Sequence, residues 1–301
     1  MIYVTGDTHG VFTRFLEKRM VDRNLYLTEE DYLIVCGDFG ICWMPDRSFT
    51  YNCRFFDRVP YTVLWVQGNH ENYDMLQEFA VEEWHGGKVR HIVRDKVILL
   101  ERGQIFEIEE KKFFTFGGAS SHDARTTWWP EELPSKREMF EGCKNLANVG
   151  NKVDYIITHC CASSIQQSVG RMQGQAYEVD VLTDYLEQVE EQVKYKYWYF
   201  GHYHEDRRVD EKHTLLYRAV LPVGDVETDL TKIPRPGYPQ YQHGEEVSFK
   251  VSQGIKRGKI LIVDAYGTFE QSEEPSYDIL VEGAERCLYK HVTESCVLGK
   301  M

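Results

Sequence analysis

Five short segments spread along the first two-thirds of the chain each place an Asp, Asn or His just after an apolar, β-rich run. They are Gly6-Asp7-Thr8-His9-Gly10, Gly37-Asp38-Phe39-Gly40, Gly68-Asn69-His70-Glu71, Thr158-His159 and Gly201-His202-Tyr203-His204. The runs before them are Ile2 to Thr5, Tyr32 to Cys36, Thr62 to Gln67, Tyr155 to Ile157 and Tyr195 to Phe200. Each reads as a buried strand, and strand ends at one edge of a sheet are where α/β proteins gather their ligands. A fold that satisfies this pattern brings Asp7, His9, Asp38, Asn69, His159, His202 and His204 towards one edge, a set able to hold two divalent metals.

Composition narrows the setting. With 301 residues, 42% of them apolar, the chain can bury a large domain and a small one. The net charge of −13 argues against nonspecific binding to nucleic acid or to an anionic membrane, since both need a surplus of Lys and Arg. Eight Cys include no C-x-x-C pair, and only Cys160 and Cys161 adjoin, which fits reduced thiols better than a disulfide framework. The first strand begins at Ile2, which leaves no room for a secretory signal, and no stretch approaches the ~18 apolar residues of a membrane span. A cytoplasmic protein is expected.

Strand and helix signals alternate to about residue 220. Helical spacing links Phe12, Phe15, Leu16 and Met20, and again Phe49, Cys53, Phe56 and Val59. Asn72 suits the cap of a short helix carrying Met75, Leu76 and Phe79. Val97 to Leu100, Ile105 to Ile108 and Phe113 to Phe116 read as an antiparallel meander. Helices are expected from Glu138 to Leu146 and from Val179 to Val193; on the latter, Glu187, Glu190 and Glu191 read as a solvated face. The pattern gives a mixed sheet flanked by helices over residues 1–222. A Pro-rich linker follows at 223–243, and several short strands over 244–301 predict a small SH3-like β-barrel.

Singly, the ligand motifs have bland readings. A lone D-x-H is usually a turn, and Gly-Asp after a strand is commonly a helix cap. Jointly they agree in order, strand context and chemistry. A mixed nitrogen and oxygen set suits Mn²⁺, Fe or Zn²⁺ and is poor for Mg²⁺ or Ca²⁺. Two such ions ~3.5–4 Å apart clamp an in-line displacement at phosphorus and lower the pKa of a bound water towards ~7.

Taken together, Asp7-Thr8-His9, Gly37-Asp38, Gly68-Asn69-His70-Glu71, His159 and Gly201-His202-Tyr203-His204 resemble the calcineurin-like metallophosphoesterase superfamily over roughly residues 1–220. The resemblance implies an α/β fold, a four-layer α/β/β/α sandwich with a dinuclear centre at the strand ends. By position it implies Asp7, His9, Asp38 and His204 on one metal and Asp38, Asn69, His159 and His202 on the other, with Asp38 bridging. It also implies in-line attack by a metal-bridging hydroxide, with His70 protonating the leaving oxygen. The first and third motifs are similar to the protein Ser/Thr phosphatase and dinucleoside-tetraphosphatase branch. That branch continues its second motif as Gly-Asp-x-x-Asp-Arg-Gly, whereas Ile41 and Cys42 stand here at the Asp and Arg positions.

The expected activity is therefore hydrolysis of a phosphomonoester. Nucleotide phosphodiesterase or nuclease action is the enzymatic alternative, and a metal-binding scaffold that docks a protein partner through its terminal barrel is the non-enzymatic one. Gly117 to Pro134 is long for a connection, and Arg125 within it is a candidate substrate-phosphate ligand. Trp128 and Trp129 there either stack on a substrate ring or pack the loop on the core. His122 reads as a surface or site-supporting residue. His85, His91, His213, His243 and His291 carry no assigned chemistry.

Overall fold

The computed structural model describes every residue except 17–19, 21–24, 122–128, 234–238, 253, 265–273 and 282–286. The chain divides into two compact units: residues 1–166 with 179–231, and residues 167–178 with 232–301. It runs through β1 (Ile2–Thr5), β2 (Tyr32–Val35), α1 (Arg47–Phe56), β3 (Thr62–Trp65), α2 (Tyr73–Gln77), β4 (Val81–Trp84), β5 (Gly87–Val93) and β6 (Val97–Leu100). Next come β7 (Gln104–Ile108), β8 (Lys111–Phe116), α3 (Lys136–Asn148), β9 (Tyr155–Thr158), α4 (Ser163–Gln173) and α5 (Val181–Gln192). β10 (Tyr197–Phe200), β11 (Arg207–Arg208), β12 (His213–Leu215) and β13 (Val220–Pro222) close the first unit.

These strands build two mixed sheets, ordered β13-β1-β2-β3-β6-β5-β4 and β11-β12-β10-β9-β8-β7. With their helices they make the expected α/β/β/α layers. The central strands are parallel and in register, so Thr5, Val35 and Trp65 lie in one row. Phe116 pairs with Thr158, and Ile157 with Tyr199, in the second sheet. The segments that follow these rows carry the candidate ligands, so register alone delivers them to the carboxyl ends of the strands. β1 and β9 are buried throughout, which is why they read as continuous apolar runs rather than as alternations.

An aromatic cluster anchors this edge from below. Phe12 meets Phe56 of α1 at 4.8 Å between ring centroids, and Phe39 meets Trp65 at 5.1 Å. Such ring pairs contribute about 0.5–1.5 kcal/mol beyond their buried area. Phe39 immediately follows Asp38, so the core grips the loop that carries the carboxylate. The helices begin where local chemistry allows: Asn72 caps α2 at Met75 N–H, Ser135 and Glu138 form a capping box on α3, and Asp180 caps α5.

Several expectations need correction. β6 does not belong to a meander with β7 and β8. It lies in the first sheet between β3 and β5, where its buried backbone N–H and C=O groups find partners along both edges, while β7 and β8 form a hairpin in the second sheet. β4 and β5, at and next to the sheet edge, show no strand pattern in the sequence because Glu82, Glu83, Lys88 and Arg90 break up the apolar alternation. The helical spacing from Phe12 opens as a 3₁₀ turn over Phe12–Phe15 and reaches the buried, α-helical Met20, while residues 17–19 between them lie outside the described residues. α5 is not simply a solvated face. Glu187 accepts the Ser164 N–H at 2.8 Å and so caps α4, and Glu190 lies 3.2 Å from His213 Nε2, although Glu191 is exposed.

In the second unit, β14 (Glu246–Val251), β15 (Gly254–Asp264), β16 (Ser276–Val281), β17 (Cys287–Thr293) and β18 (Val297–Lys300) pair antiparallel in the order β17-β16-β15-β14-β18. Val247, Phe249, Ile260, Tyr277, Ile279, Val292 and Val297 fill its core, giving the expected small all-β domain. Residues 234–238 of the expected linker lie outside the described residues. No helix among the described residues is long and apolar enough to cross a membrane.

His213 is buried with Nδ1 2.8 Å from Asp210 Oδ2 and Nε2 2.9 Å from the Tyr195 hydroxyl as well as near Glu190. Burial lowers its pKa, but Glu190 and Asp210 outweigh that and leave it above the ordinary 6.5. The stabilisation is complete below 6.5 and is lost as pH rises through the raised value. Glu190 is held below its ordinary 4.5 despite burial, so its own contribution is lost only as pH falls through the lowered value. His213→Gln is expected to cost about 3 kcal/mol near pH 5.5, a buried ion-pair loss. The gap to wild type should narrow as pH rises above 7, as read by urea unfolding at each pH. A gap independent of pH would remove the charge argument.

Candidate metal centre

The loops after β1, β2, β3, β9 and β10 meet in the first unit. Asp7 is buried, with Oδ2 3.3 Å from His204 Nε2 and 3.8 Å from His9 Nε2. His9 Nε2 also lies 3.8 Å from Asp38 Oδ2 and 3.0 Å from His204 Nε2. One ligand atom from each of Asp7, His9, Asp38 and His204 falls within 4.8 Å of the others. A second group adjoins it. His159 Nε2 lies 3.4 Å from Asp38 Oδ1 and 3.1 Å from Asn69 Oδ1, and the His202 ring centroid is 5.0 Å from that of His159. The Asp38 carboxylate therefore turns one oxygen to each group.

The residues fit divalent transition metals. Two buried carboxylates and several imidazole nitrogens share a space too small for their unneutralised charges and lone pairs. Burial, reinforced by His204, His70 and His159, holds His9 well below its usual pKa against the pull of Asp38, which keeps the ring neutral, the form that ligates a cation. Burial also lowers His159, but Asp38 and Asp7 overcome it and carry the ring up to about 9. The His159 Nδ1 donates to the Cys36 carbonyl at 2.7 Å, so Nε2 is the nitrogen that faces the carboxylate. The carboxylates call for positive charge at this spot.

Backbone geometry supplies the precision. Of the ten described non-glycine residues with positive φ, four are His9, Asp38, His202 and His204. That conformation is costly for side chains with a Cβ and concentrates at functional sites. The Thr8 and His9 N–H groups donate to the Asp38 carbonyl at 3.1 and 2.8 Å, zipping the first two loops together. His70 N–H donates to Asp38 Oδ1 at 2.7 Å, and His202 N–H donates to Asp7 Oδ1 at 3.1 Å. Two glycines make this possible by close approach: a Cβ on Gly68 would overlap Asp38 Oδ1, and one on Gly201 would overlap Asp7 Oδ1.

The structure also brings in residues the sequence did not mark. Arg14 donates to the carbonyls of Gly6 at 3.1 Å, Asp7 at 2.7 Å and Tyr217 at 2.5 Å. Tyr217 in turn stacks on the His204 ring at 4.8 Å. Arg14 follows its loop by a few residues and Tyr217 lies in a remote segment, so no local pattern announces either. Asn69 Nδ2 donates to Ser121 Oγ at 3.2 Å. Glu71 is buried and accepts the Phe39 N–H at 2.8 Å, and burial together with Asp38 pushes its carboxyl up to about 8. It props the Asp38 loop. Ile41 and Cys42, at the positions where the phosphatase branch carries Asp and Arg, are core residues in the cluster around Phe39.

His70 stands beside the ligands, its ring 5.2 Å from His9 and 6.5 Å from Trp43. Arg125, His122 and Trp128 lie outside the described residues. Trp129 is described: its indole N–H donates to Asp74 Oδ2 at 3.1 Å and its ring meets Trp43 at 6.1 Å.

A sequence profile described as calcineurin-like phosphoesterase matches residues 1–206. No curated protein matches the chain. Among solved structures, phosphopantetheinyl hydrolase from Mycobacterium tuberculosis is similar at 16% identity, with 72% of this chain and 89% of that one covered at a TM-score of 0.32. That overlap is too loose to bear on fold or substrate.

Arg14→Lys keeps the charge but loses the fork that ties Asp7 to Tyr217. It is expected to weaken Mn²⁺ binding about 10-fold, as loss of a residue supporting ligands typically does. Titration calorimetry reads the affinity, and an unchanged melting temperature separates this from global damage. Undiminished affinity would mean the ligands hold their places without the strap.

Proposed function

The chain belongs to the calcineurin-like phosphoesterase family, and we propose that it hydrolyses a phosphomonoester with two divalent transition metals, Mn²⁺, Fe or Zn²⁺. The observation that carries this reading is Asp38, which faces His9 with Oδ2 and His159 with Oδ1. Asp7, His9, Asp38 and His204 would hold one ion, and Asp38, Asn69, His159 and His202 the other. When bound, the pair supplies Lewis acidity to the phosphoryl oxygens and makes water acidic enough to deprotonate near neutral pH.

The chain's own residues do the rest. Asp38 sets the separation of the two ligand groups. His70, whose backbone is pinned to Asp38, carries a proton to the leaving oxygen. Core residues replace the Asp that would orient the acid His and the Arg that would bind substrate phosphate in the phosphatase branch, which favours a small phosphomonoester over a phosphoprotein. The free state of all eight cysteines supports a reducing, cytoplasmic compartment. The second unit is the part we assign to a protein partner, and the acidic charge balance disfavours nucleic acid and membrane.

Two variants separate the roles. Asp38→Asn should lose stoichiometric metal and hydrolysis together, by elemental analysis and Mn²⁺-dependent turnover of aryl phosphate. His70→Ala should keep the metal and lose about 10²–10⁴ in kcat, the usual contribution of a positioned general acid. Preference for an aryl phosphodiester would move the assignment to phosphodiesterase. Stoichiometric metal without hydrolysis of either ester would leave the metal-binding scaffold reading, and absence of both would overturn the metal-dependent readings together.

A further inference from the structure

We propose that Trp43 and Trp129 form a leaving-group subsite that selects phosphoesters whose leaving group contains a planar ring, attached directly as in an aryl phosphate or through a sugar as in a nucleotide. This rests on the phosphoesterase reading above. Five rings form a chain of successive contacts that starts at the candidate ligands. His204 to His9 is 5.0 Å between centroids, His9 to His70 5.2 Å, His70 to Trp43 6.5 Å and Trp43 to Trp129 6.1 Å. An acid must stand roughly 2.6–3.2 Å from the oxygen it protonates. A group on that oxygen is then only a few bonds from the Trp43 ring.

The two indoles are held as a surface rather than left to float. Ile41 and Cys42, just before Trp43, are fixed in the core, and Asn72 Nδ2 donates to the Trp43 carbonyl at 2.9 Å. Asp74 fixes the Trp129 indole, and Glu132 Oε1 accepts the Trp129 backbone N–H at 3.2 Å. Glu132 is fully buried, and its Oε2 accepts the Ser121 N–H at 3.2 Å. Ser121 is the residue that Asn69 touches, so Trp129 is tied back to the ligand set.

Trp65 and Trp198 are 0% exposed, whereas Trp43 and Trp129, like Trp84 of β4, are only partly covered, and of these three they are the ones joined to His70 by ring contacts. The interplanar angle of 71° makes a corner that offers one ring face and one ring edge. A flat π system fills such a corner by stacking on one indole and meeting the edge of the other. A glycerol or sugar leaving group has no flat face to offer.

The test compares wild type, Trp43→Ala, Trp129→Ala and the two Phe variants on adenosine monophosphate, phosphotyrosine and glycerol 3-phosphate with Mn²⁺. The expected result is a rise of roughly 5- to 100-fold in KM for the ring-bearing esters on loss of an indole, the worth of one stacking contact. Turnover of glycerol 3-phosphate should be unchanged, and the Phe variants should recover most of the loss. Which of the first two substrates loses more identifies the ring as nucleobase or phenol. Equal loss on all three substrates, or none on the ring-bearing pair, overturns the proposal. A protein that hydrolyses nothing refutes the functional reading above, and binding then decides this one: quenching of tryptophan fluorescence by adenosine monophosphate or phosphotyrosine and not by ribose 5-phosphate, abolished in Trp43→Ala, supports the subsite, and quenching by neither ring-bearing ester overturns it.

Discussion

Asp38 sits at the end of β2 in the left-handed backbone region, with its carboxylate 1% exposed and flanked by His9, His159 and the His70 N–H. Taking a carboxylate this far from water costs several kcal/mol unless charge and hydrogen bonds replace the lost hydration. Burial pushes its pKa up, yet His159, His70 and His9 reverse that and hold it well below the ordinary carboxylate range. The group stays ionised. A buried anion with an oxygen towards each of two ligand groups is the feature around which the first unit is arranged.

The supporting structure follows from keeping that anion in place. Phe39 roots the loop in the aromatic core while Glu71 catches its N–H, so the residue beside Asp38 is fixed by both packing and a hydrogen bond. The next strand must come close enough for its backbone to donate to Asp38, which is why Gly68 has no room for a side chain. The same logic repeats at Asp7, where Gly201 admits the His202 N–H and Arg14 straps the loop from behind. Strand register sets the height of these loops, and the buried charges set their detailed shape.

Much of the fold was legible because its central strands obey a simple rule: buried on both faces, they are apolar without interruption. The edges were not. β4 and β5 carry charges on a water-facing side, and α4 depends on a cap from Glu187 that lies 23 residues further along the chain. The three strands read as a meander fell into two sheets because hydrophobic pattern says that a strand is covered but not by which neighbour. Ile41 and Cys42 show the same limit in the other direction. Their departure from the phosphatase motif was visible in the sequence, while their place in the core around Phe39 was not.

The sequence by itself determined the identity and order of the candidate ligands, their position just after buried strands, and the separation of a small all-β segment from the larger α/β part. These are properties of short windows, where side-chain period and turn chemistry are local. Tertiary structure decided which ligands share a group, that Asp38 stands between the groups, that Tyr217 and Arg14 support them, and that Trp43 and Trp129 follow on from His70. His202 N–H reaches Asp7, and His9 reaches His204, across 195 residues of chain. Contacts at that separation depend on sheet order and on burial of charge, and no periodicity within either segment encodes them.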